Sequence, residues 1–351
     1  MYIDPHVHLR DFNQREKETV RHGLEVARDC GLSAVFDMPN TDPPIMTRNL
    51  ARERLKIARN ANVPEVFYGL YLGLTANPEQ VQRAVECFRE HDEIIGMKLY
   101  AGHSVGNLGV IGEDQQRTVY QTLSQEEYSG LLAVHCEKES YLHHDHWDPN
   151  HPISHCHARP EASEVASVTD QLRLAQETGY AGKIHIAHIS SPRAVELVNE
   201  ARARGQDVSS GICPHHFLYD WSAMYNEHGI RMKMNPPLRS PESRAQMFDY
   251  LREGKIDLIE TDHAPHTLAD KIKPPYQSGI PGLPWWPLFE EYLRAQDFTD
   301  QQIEALTFTN AVQRFGLDIT KRREITLRDR RPDYPFDPYE PIAHELGWHP
   351  Q

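Results

Sequence analysis

Two histidines one residue apart, His6 and His8, follow a short apolar stretch at the start of the chain. Because side chains alternate along a strand, both rings can face the same side. Imidazole nitrogens are common ligands of zinc and similar divalent ions. A catalytic metal needs three or more protein ligands and one open position. The pair therefore predicts part of a metal site and requires further ligands from later in the chain.

Further candidate ligands stand at or near the ends of other apolar segments. They are Lys98, His135, His188 and Asp262. A single strand histidine is most often a hydrogen-bonded core group or a surface group, so each is weak evidence by itself. Four histidines and an aspartate together suit zinc or a similar divalent ion. We therefore predict one metal centre from these strand ends.

Lys98 lies in an apolar segment beside Leu99 and Tyr100 and has two interpretations. A lysine can extend its charged amine to the mouth of a fold while its stem stays buried. A buried amine would instead have a lowered pKa. In its neutral form it could add carbon dioxide and become an anionic carbamate that bridges two metals. The sequence leaves both interpretations open.

These residues belong to eight apolar segments that alternate with helical periodicity. The predicted strands span residues 2–9, 33–38, 66–74, 94–100, 131–134, 183–189, 208–213 and 256–260. The predicted helices span residues 14–30, 47–61, 78–91, 115–128, 192–203, 241–252, 288–294 and 300–315. Eight such units predict a (β/α)8 TIM barrel over residues 1–317, with its chemistry at the C-terminal strand ends. Residues 318–351 predict an irregular tail, packed on the barrel or extending from it.

Composition restricts the classes of function. The 351 residues include 37 basic and 51 acidic ones, and the formal net charge of −14 disfavours nucleic-acid binding. No apolar run approaches the roughly 18 residues of a membrane helix, and the N-terminus shows no signal-peptide pattern. The five cysteines form no Cys-x-x-Cys pair and predict reduced thiols. We expect a cytoplasmic protein that acts on a small molecule and binds neither nucleic acid nor membrane.

Seven short motifs carry a resemblance to a known family. They are residues 4–11 (DPHVHLRD), 37–41 (DMPNT), 98–100 (KLY), 135–137 (HCE), 188–190 (HIS), 235–239 (NPPLR) and 261–266 (TDHAPH). Together they resemble the dihydroorotase family of the amidohydrolase superfamily, over nearly the whole barrel. The resemblance implies a metal-dependent hydrolase barrel. The implied reaction is the reversible cyclisation of N-carbamoyl-L-aspartate to (S)-dihydroorotate and water in pyrimidine biosynthesis.

The resemblance also implies a role for each candidate ligand. The implied ligands of a two-zinc centre are His6, His8 and Asp262 for one ion and His135 and His188 for the other. A carbamylated Lys98 and a hydroxide would bridge the two ions. Such a metal pair acidifies a water and polarises the amide carbonyl that the water attacks. Asp262 is the implied catalytic residue, which takes the proton of that water and passes it to the departing ring nitrogen.

The substrate of this family carries a carboxylate, which requires a cation and hydrogen-bond donors. Arg10 continues the alternation of the histidine pair, and its guanidinium suits bidentate carboxylate binding. The resemblance adds Asn40 and His266 to the carboxylate site, and Asn235 with residues 279–282 to contacts with the pyrimidine ring. Taken alone, Arg10 fits a surface ion pair, Asn40 a turn residue and His266 a loop residue.

Alternatives remain open at the level of function. An allantoinase or hydantoinase would use the same metal centre on a neutral ring, and a non-catalytic homologue would serve as a partner of a transcarbamoylase. Little sheet-like sequence flanks the barrel, so we expect little or no flanking β-sandwich. Residues 101–109 lack the paired threonines of one dihydroorotase branch. A homodimer is expected, and association with another enzyme of the pyrimidine pathway is left open.

Two further histidine-rich stretches fall outside this assignment. Residues 143–157 are dense in histidine, and a separate metal site there is the less favoured alternative to a polar loop. Cys213, His215 and His216 form the second stretch, which we interpret as structural support near the site.

Overall fold

A computed structural model describes residues 1–103, 108–226, 228–319 and 326–349. Within these ranges the strands form one parallel sheet in chain order. They are β1 (Tyr2–Val7), β2 (Leu32–Asp37), β3 (Phe67–Gly73), β4 (Ile94–Ala101), β5 (Leu131–Cys136), β6 (Lys183–Ile186), β7 (Val208–Ile212) and β8 (Leu258–Ile259). Val7 also pairs in parallel with His263, just after β8, so the first and last strands meet. This is the predicted (β/α)8 barrel.

Helices connect the strands and follow the last one. In the described part of the chain they are α1 (Val20–Asp29), α2 (Arg48–Ala61), α3 (Pro78–Glu90), α4 (Glu113–Gln125), α5 (Ser154–Ala158), α6 (Glu161–Glu177), α7 (Pro192–Ala203), α8 (Pro214–Leu218), α9 (Pro241–Arg252), α10 (Leu268–Ile272), α11 (Trp286–Ala295), α12 (Asp300–Glu304), α13 (Asn310–Phe315) and α14 (Glu340–Leu346). A π-helical turn, Ala305–Thr309, joins α12 to α13, so the helix predicted over 300–315 is continuous. None of the described helices is long and apolar enough to cross a membrane.

Local side-chain chemistry explains where several helices begin. The Thr47 side chain accepts a hydrogen bond from the backbone N–H of Leu50 at the start of α2. The Asn77 side chain does the same for the first turn of α3, and Pro78 occupies the first helical position. Both arrangements satisfy N–H groups that lack a partner within the helix. The predicted start of α3 is confirmed.

Two strands end two or three residues earlier than the sequence predicts. β1 ends at Val7 instead of residue 9, and β6 ends at Ile186 instead of residue 189. His188 has a positive φ angle of 40° inside the predicted sixth strand, and this left-handed backbone cannot continue a strand ladder. Arg10, with a φ angle of 48°, turns the chain directly after the predicted end of the first strand. The directions of the His8, Arg10 and His188 side chains are therefore set by the turns that follow the strands, and not by strand pairing. The helix expected from residue 14 begins only at Val20, because Thr19 has an extended backbone and caps the first turn by accepting a hydrogen bond from the backbone N–H of His22.

An apolar cluster fills one end of the barrel. Its strand residues include Ile3, Ile95 and Leu131, each at or next to the start of its strand. Phe315 of α13 packs against this cluster, and its ring centroid lies 4.6 Å from that of Phe36. Helix α13 therefore covers the N-terminal end of the barrel. The polar C-terminal strand ends face the opposite mouth.

The C-terminal tail contains a helix, α14, that the sequence did not predict. Tyr339 is fully buried, and its ring centroid lies 4.8 Å from that of Phe289 in α11. The Tyr334 hydroxyl donates to Glu18 over 2.7 Å. The described part of the tail therefore packs on the barrel. Residues 320–325, 350 and 351 of the predicted tail, and 104–107 of the predicted loop 101–109, lie outside the described ranges.

A buried ion pair fixes the turn that follows β1. The Arg54 guanidinium donates to the Asp37 carboxylate over 2.6 Å and 2.9 Å, and both side chains are fully buried. Asp37 also accepts from the Tyr68 hydroxyl and from the backbone N–H of Leu9. Arg54 donates in addition to the backbone carbonyl of Arg10 over 2.8 Å. The pair thereby holds the backbone that carries Arg10 towards the barrel mouth.

We expect Arg54→Met to lower the free energy of unfolding by about 3–5 kcal/mol, because it leaves the Asp37 carboxylate buried without its cation. Arg52→Met on the same helix is the matched control, since the Arg52 side chain is 56% exposed. It should change the free energy by no more than about 0.5 kcal/mol. Equilibrium urea unfolding followed by circular dichroism measures both. Equal effects of the two substitutions would contradict the role of the ion pair.

Candidate active site

The first half of the site joins the two ends of the barrel. His6 and His8 project from the end of β1, and Asp262 follows β8. The Asp262 carboxylate lies 3.2 Å from His6 Nε2 and 2.8 Å from His8 Nε2. One ligand atom from each of the three residues lies within 4.8 Å of the others, and all three side chains are buried. This spacing suits a single divalent ion.

The second half of the site comes from β5 and the turn after β6. His135 Nδ1 lies 3.0 Å from His188 Nε2. The His188 ring centroid lies 5.1 Å from that of His6, which connects the two halves. Lys98 lies on β4 and is fully buried. It is the lysine that the sequence predicts for this centre. The structure thus gathers the four histidines and Asp262 at one mouth.

The donor atoms of these residues fit a bound metal. Lys98 Nζ, His6 Nδ1 and His188 Nδ1 are buried and have no hydrogen-bond partner among the described residues. Burial lowers the pKa of His6 to about 4, which favours the neutral ring with a lone pair, and it lowers the pKa of Lys98 to about 8, which brings the neutral amine within easier reach. Burial opposes ionisation of Asp262, yet His6 and His8 hold the pKa of its carboxyl well below the usual range. The lone pairs of the histidine nitrogens and the Asp262 carboxylate therefore converge as ligands for a metal ion.

Glu260 supports both halves of the site, a role that the sequence analysis did not predict. One of its oxygens accepts a hydrogen bond from the backbone N–H of His188 and lies 3.8 Å from His6 Nδ1. The other oxygen lies 3.2 Å from His185 Nε2. A Cβ at Gly211 would stand 2.6 Å from the Glu260 carboxyl carbon, so only glycine leaves room for this carboxylate. Glu260 therefore fixes the orientation of residues that could bind metal.

Three site residues adopt a backbone conformation that is uncommon outside glycine. The φ angles of Arg10, His188 and Asp262 are 48°, 40° and 49°. Such conformations cost roughly 1–3 kcal/mol each and persist only where surrounding contacts enforce them. Glu260 and the Arg54 pair supply such contacts for His188 and Arg10. The strain is concentrated where the site side chains must turn into the mouth.

Arg10 and His266 meet at the rim of the same mouth. The Arg10 guanidinium lies 3.0 Å from His266 Nε2 and donates from Nε to the carbonyl of Pro265 over 3.1 Å. Arg10 is only 6% exposed, and among the described residues no carboxylate hydrogen-bonds to it. A buried guanidinium without an anion is costly. Its donors suit a carboxylate supplied by a ligand.

Asn40 and Asn235 also line the mouth, with their amide oxygens already engaged. Asn40 Oδ1 lies 2.7 Å from His8 Nδ1, so Asn40 orients a candidate metal ligand as well as facing the cavity. Asn235 Oδ1 lies 3.0 Å from His155 Nε2. The NH2 groups of both side chains are the parts available as donors to a ligand. Asn40 therefore has a contact that its predicted role in carboxylate binding did not include.

One cavity of about 380 Å3 contains most of the predicted site. Its lining includes all predicted site residues except Lys98, together with residues that the sequence did not single out. Those additional residues include Lys17, Lys233 and Tyr276. Lys98 lies behind this surface, with its Nζ 5.1 Å from the centroid of the Tyr100 ring. The cavity has the size of a small-molecule site.

The histidine-rich stretch 143–157 supports this cavity. Among the described residues, the two close groups of candidate metal ligands both lie elsewhere. His155 is buried and hydrogen-bonds to the Met234 carbonyl and to Asn235. The Trp147 ring contacts that of Tyr276 edge-on, with centroids 6.3 Å apart. A structural role for this stretch is therefore favoured over a separate metal site.

A second buried carboxylate orients His135. Glu137 lies 2.9 Å from His135 Nε2 and also accepts two hydrogen bonds from the Arg159 guanidinium. The carboxylate thereby fixes which nitrogen of His135 is protonated, and leaves Nδ1 facing His188. This is the arrangement in which metal-binding histidines are usually held.

No family model matches the chain. Among curated proteins, it is 30% identical over 329 residues to the dihydroorotase of Lactiplantibacillus plantarum, covering 92% of this chain and 73% of that protein. It is 30% identical over 325 residues to the dihydroorotase of Methanosphaera stadtmanae, covering 90% and 70%. The dihydroorotase of Pediococcus pentosaceus is 33% identical over 275 residues, or 77% of this chain, and the match spans 61% of that relative.

Solved structures share the fold at lower sequence identity. The L-hydantoinase of Arthrobacter aurescens superposes with a TM-score of 0.81 at 22% identity, over 94% of this chain and 74% of that one. The dihydropyrimidinase of Brevibacillus agri gives a TM-score of 0.78 at 20% identity, over 93% and 73%. These matches support the barrel and its strand order.

We expect Glu260→Gln to weaken zinc binding by about 10–100-fold, because an amide lacks the charge that faces His6 and the paired oxygens that hold His188 and His185. Competition with a chromophoric chelator measures the affinity. Glu253→Gln is the control, since that side chain is 52% exposed on the surface. An unchanged affinity in a folded Glu260→Gln protein would show that Glu260 does not position the ligands.

Proposed function

The chain belongs to the dihydroorotase family of cyclic amidohydrolases, and from this premise we propose that it is a dihydroorotase. The proposed reaction is the reversible, zinc-dependent cyclisation of N-carbamoyl-L-aspartate to (S)-dihydroorotate and water. The chain spans 61–73% of the lengths of the three relatives compared above, so their activity enters here as a proposal.

The observation that carries the proposal is the position of Arg10 beside the candidate metal ligands. Arg10, Asn40 and His266 line the same cavity as His6 and Asp262. A cyclic amide with a carboxylate substituent could place its carboxylate on Arg10 and its amide carbonyl at the histidine cluster. Allantoin and hydantoin are neutral rings and offer no anionic partner for the buried guanidinium.

The residues of the chain would divide the reaction between them. Arg10 would hold the carboxylate with two parallel hydrogen bonds, while Asn40 and His266 support it. Metal bound by the histidines and Asp262 would polarise the amide carbonyl and acidify the attacking water. Asp262 would accept the proton of that water and deliver it to the ring nitrogen as the C–N bond breaks. In the biosynthetic direction the same proton transfers run in reverse.

Lys98 would complete the centre as a carbamate. Its amine is fully buried, lacks a hydrogen-bond partner in the described structure, and has a pKa lowered by burial. In the neutral form, the nitrogen would add to the carbon of carbon dioxide, and one proton would leave to solvent. The product carries a negative charge and two oxygens, which suits a group shared by two ions. A cation at this position would instead repel them.

We expect Arg10→Ala to raise the KM for dihydroorotate by about 10–100-fold, because the loss of a charge-assisted bond to the carboxylate costs about 1.5–3 kcal/mol. Arg15→Ala is the control, since the Arg15 side chain is 67% exposed and lies in the same turn. Steady-state kinetics measure both. An unchanged KM in the Arg10 variant would overturn the assignment of the carboxylate site.

We expect Asp262→Asn to lower kcat for dihydroorotate about 10²–10⁴-fold, because an amide cannot take up and release the proton. Metal content is measured on the same sample, so that loss of metal can be told from loss of proton transfer. Asp300→Asn, at an 83% exposed side chain, is the control. A metal-loaded Asp262→Asn protein with normal kcat would exclude this carboxylate as the proton carrier.

A parallel assay on dihydroorotate, allantoin and hydantoin tests the proposed substrate. We expect turnover of dihydroorotate well above that of the two neutral rings. Turnover of allantoin alone would identify an enzyme for neutral rings. A zinc-loaded protein that turns over none of the three would favour a non-catalytic partner of a transcarbamoylase.

A further inference from the structure

A second group of candidate metal ligands lies where β7 ends. Cys213 follows the strand, and α8 begins at the next residue and carries His215 and His216. One ligand atom from each residue lies within 4.8 Å of the other two. The residues are 0%, 1% and 3% exposed, respectively. None of them lines the cavity described above or has a role in the proposed reaction.

The hydrogen bonds of the two rings leave one nitrogen of each for a ligand. His216 Nε2 lies 3.0 Å from the carbonyl oxygen of Pro236, which can only accept, so this nitrogen carries the proton. His216 Nδ1 therefore has a lone pair, and it is buried with no hydrogen-bond partner among the described residues. His215 Nδ1 faces the Tyr339 hydroxyl at 3.4 Å, which leaves its Nε2. Metal-binding histidines are typically held in this way by their second nitrogen.

A purely structural role explains the hydrogen bonds of His216 Nε2 and His215 Nδ1, but it does not explain the unpartnered Nδ1 of His216. A histidine that serves only the core is expected to satisfy both ring nitrogens, because a buried acceptor without a partner costs about 1–3 kcal/mol. His216 Nδ1 is such an acceptor. A cation bound by that nitrogen, the His215 ring and the Cys213 sulfur would satisfy it.

We propose that Cys213, His215 and His216 bind a zinc ion at a site separate from the His6, His8 and Asp262 centre. One thiolate and two imidazoles form a donor set that zinc prefers, with a fourth position left for water or another donor. On binding, the Cys213 sulfur forms the metal bond and its proton leaves to solvent. No oxidant or reductant takes part.

The ion would connect three segments at the rear of the mouth. Cys213 directly follows β7, and the Pro236 carbonyl that accepts from His216 belongs to the residue after Asn235. Tyr339, which contacts His215, belongs to the C-terminal tail. Fixing α8 would therefore fix the segment that presents Asn235 to the cavity. The role of this zinc is structural.

Cobalt substitution tests the site on the full-length protein. The metal-free chain is reloaded with Co2+, and the absorption spectrum is recorded. A bound thiolate produces an intense near-ultraviolet charge-transfer band, whereas the nitrogen and oxygen ligands of the His6 centre produce none. We expect this band in the native sequence and its loss in Cys213→Ser, together with about one metal ion fewer per chain. Cys30→Ser, at another buried cysteine, should retain both.

X-ray absorption on the zinc-loaded native protein gives the same test without a variant. We expect a sulfur scatterer about 2.3 Å from zinc beside the nitrogen and oxygen scatterers. A protein whose bound zinc has only nitrogen and oxygen neighbours, and whose cobalt form lacks the band, would overturn the proposal. That result would leave the His6 centre and the proposed reaction unaffected.

Discussion

The carboxylate of Asp262 contacts the rings of both His6 and His8, and these contacts bring the first and last strands of the barrel together at the mouth. The barrel closes at this point with few backbone pairs, since β8 has only two residues and Val7 pairs with His263 beyond it. Burying the His6 and His8 rings and the Asp262 carboxylate costs free energy unless each of the three groups has a hydrogen-bond partner or binds a cation. A bound divalent ion would satisfy all three, so the same ligand that serves the chemistry would also stabilise the closed barrel.

Buried carboxylates stand behind the groups that face the cavity. Glu260 holds His188, Glu137 holds His135, and Asp37 acts through Arg54 on the backbone of Arg10. Each carboxylate is fully buried and accepts several hydrogen bonds, which fixes its position in a way that a solvent-exposed group could not achieve. These supports hold ligand atoms in place before substrate or metal arrives. A site organised in advance loses less free energy to reorganisation during the reaction.

The sequence was sufficient for the eight strands in their order, for the barrel, and for most of the polar residues that the structure gathers at its mouth. Strand alternation and the parallel order of the strands bring His6, His8, His135 and His188 together. Alternation depends only on local sequence, and the parallel order follows from the repeated strand–helix pattern, so both can be recognised without a structure. Glu260 could not be recognised in this way, because its role depends on the space left by Gly211 on the neighbouring strand. The positive φ angles of Arg10, directly after the predicted first strand, and of His188, inside the predicted sixth strand, are also imposed by tertiary contacts. The secondary-structure propensities of individual residues contain no information about such tertiary contacts.

The central claim is that the strand-end cluster holds metal and that ring opening of dihydroorotate depends on it. The most direct measurement is the activity of the full-length protein on dihydroorotate after metal removal by chelation and dialysis, and again during titration with zinc. The account predicts that activity is lost with the metal and returns as zinc is added. Full activity in protein shown to be metal-free would contradict it.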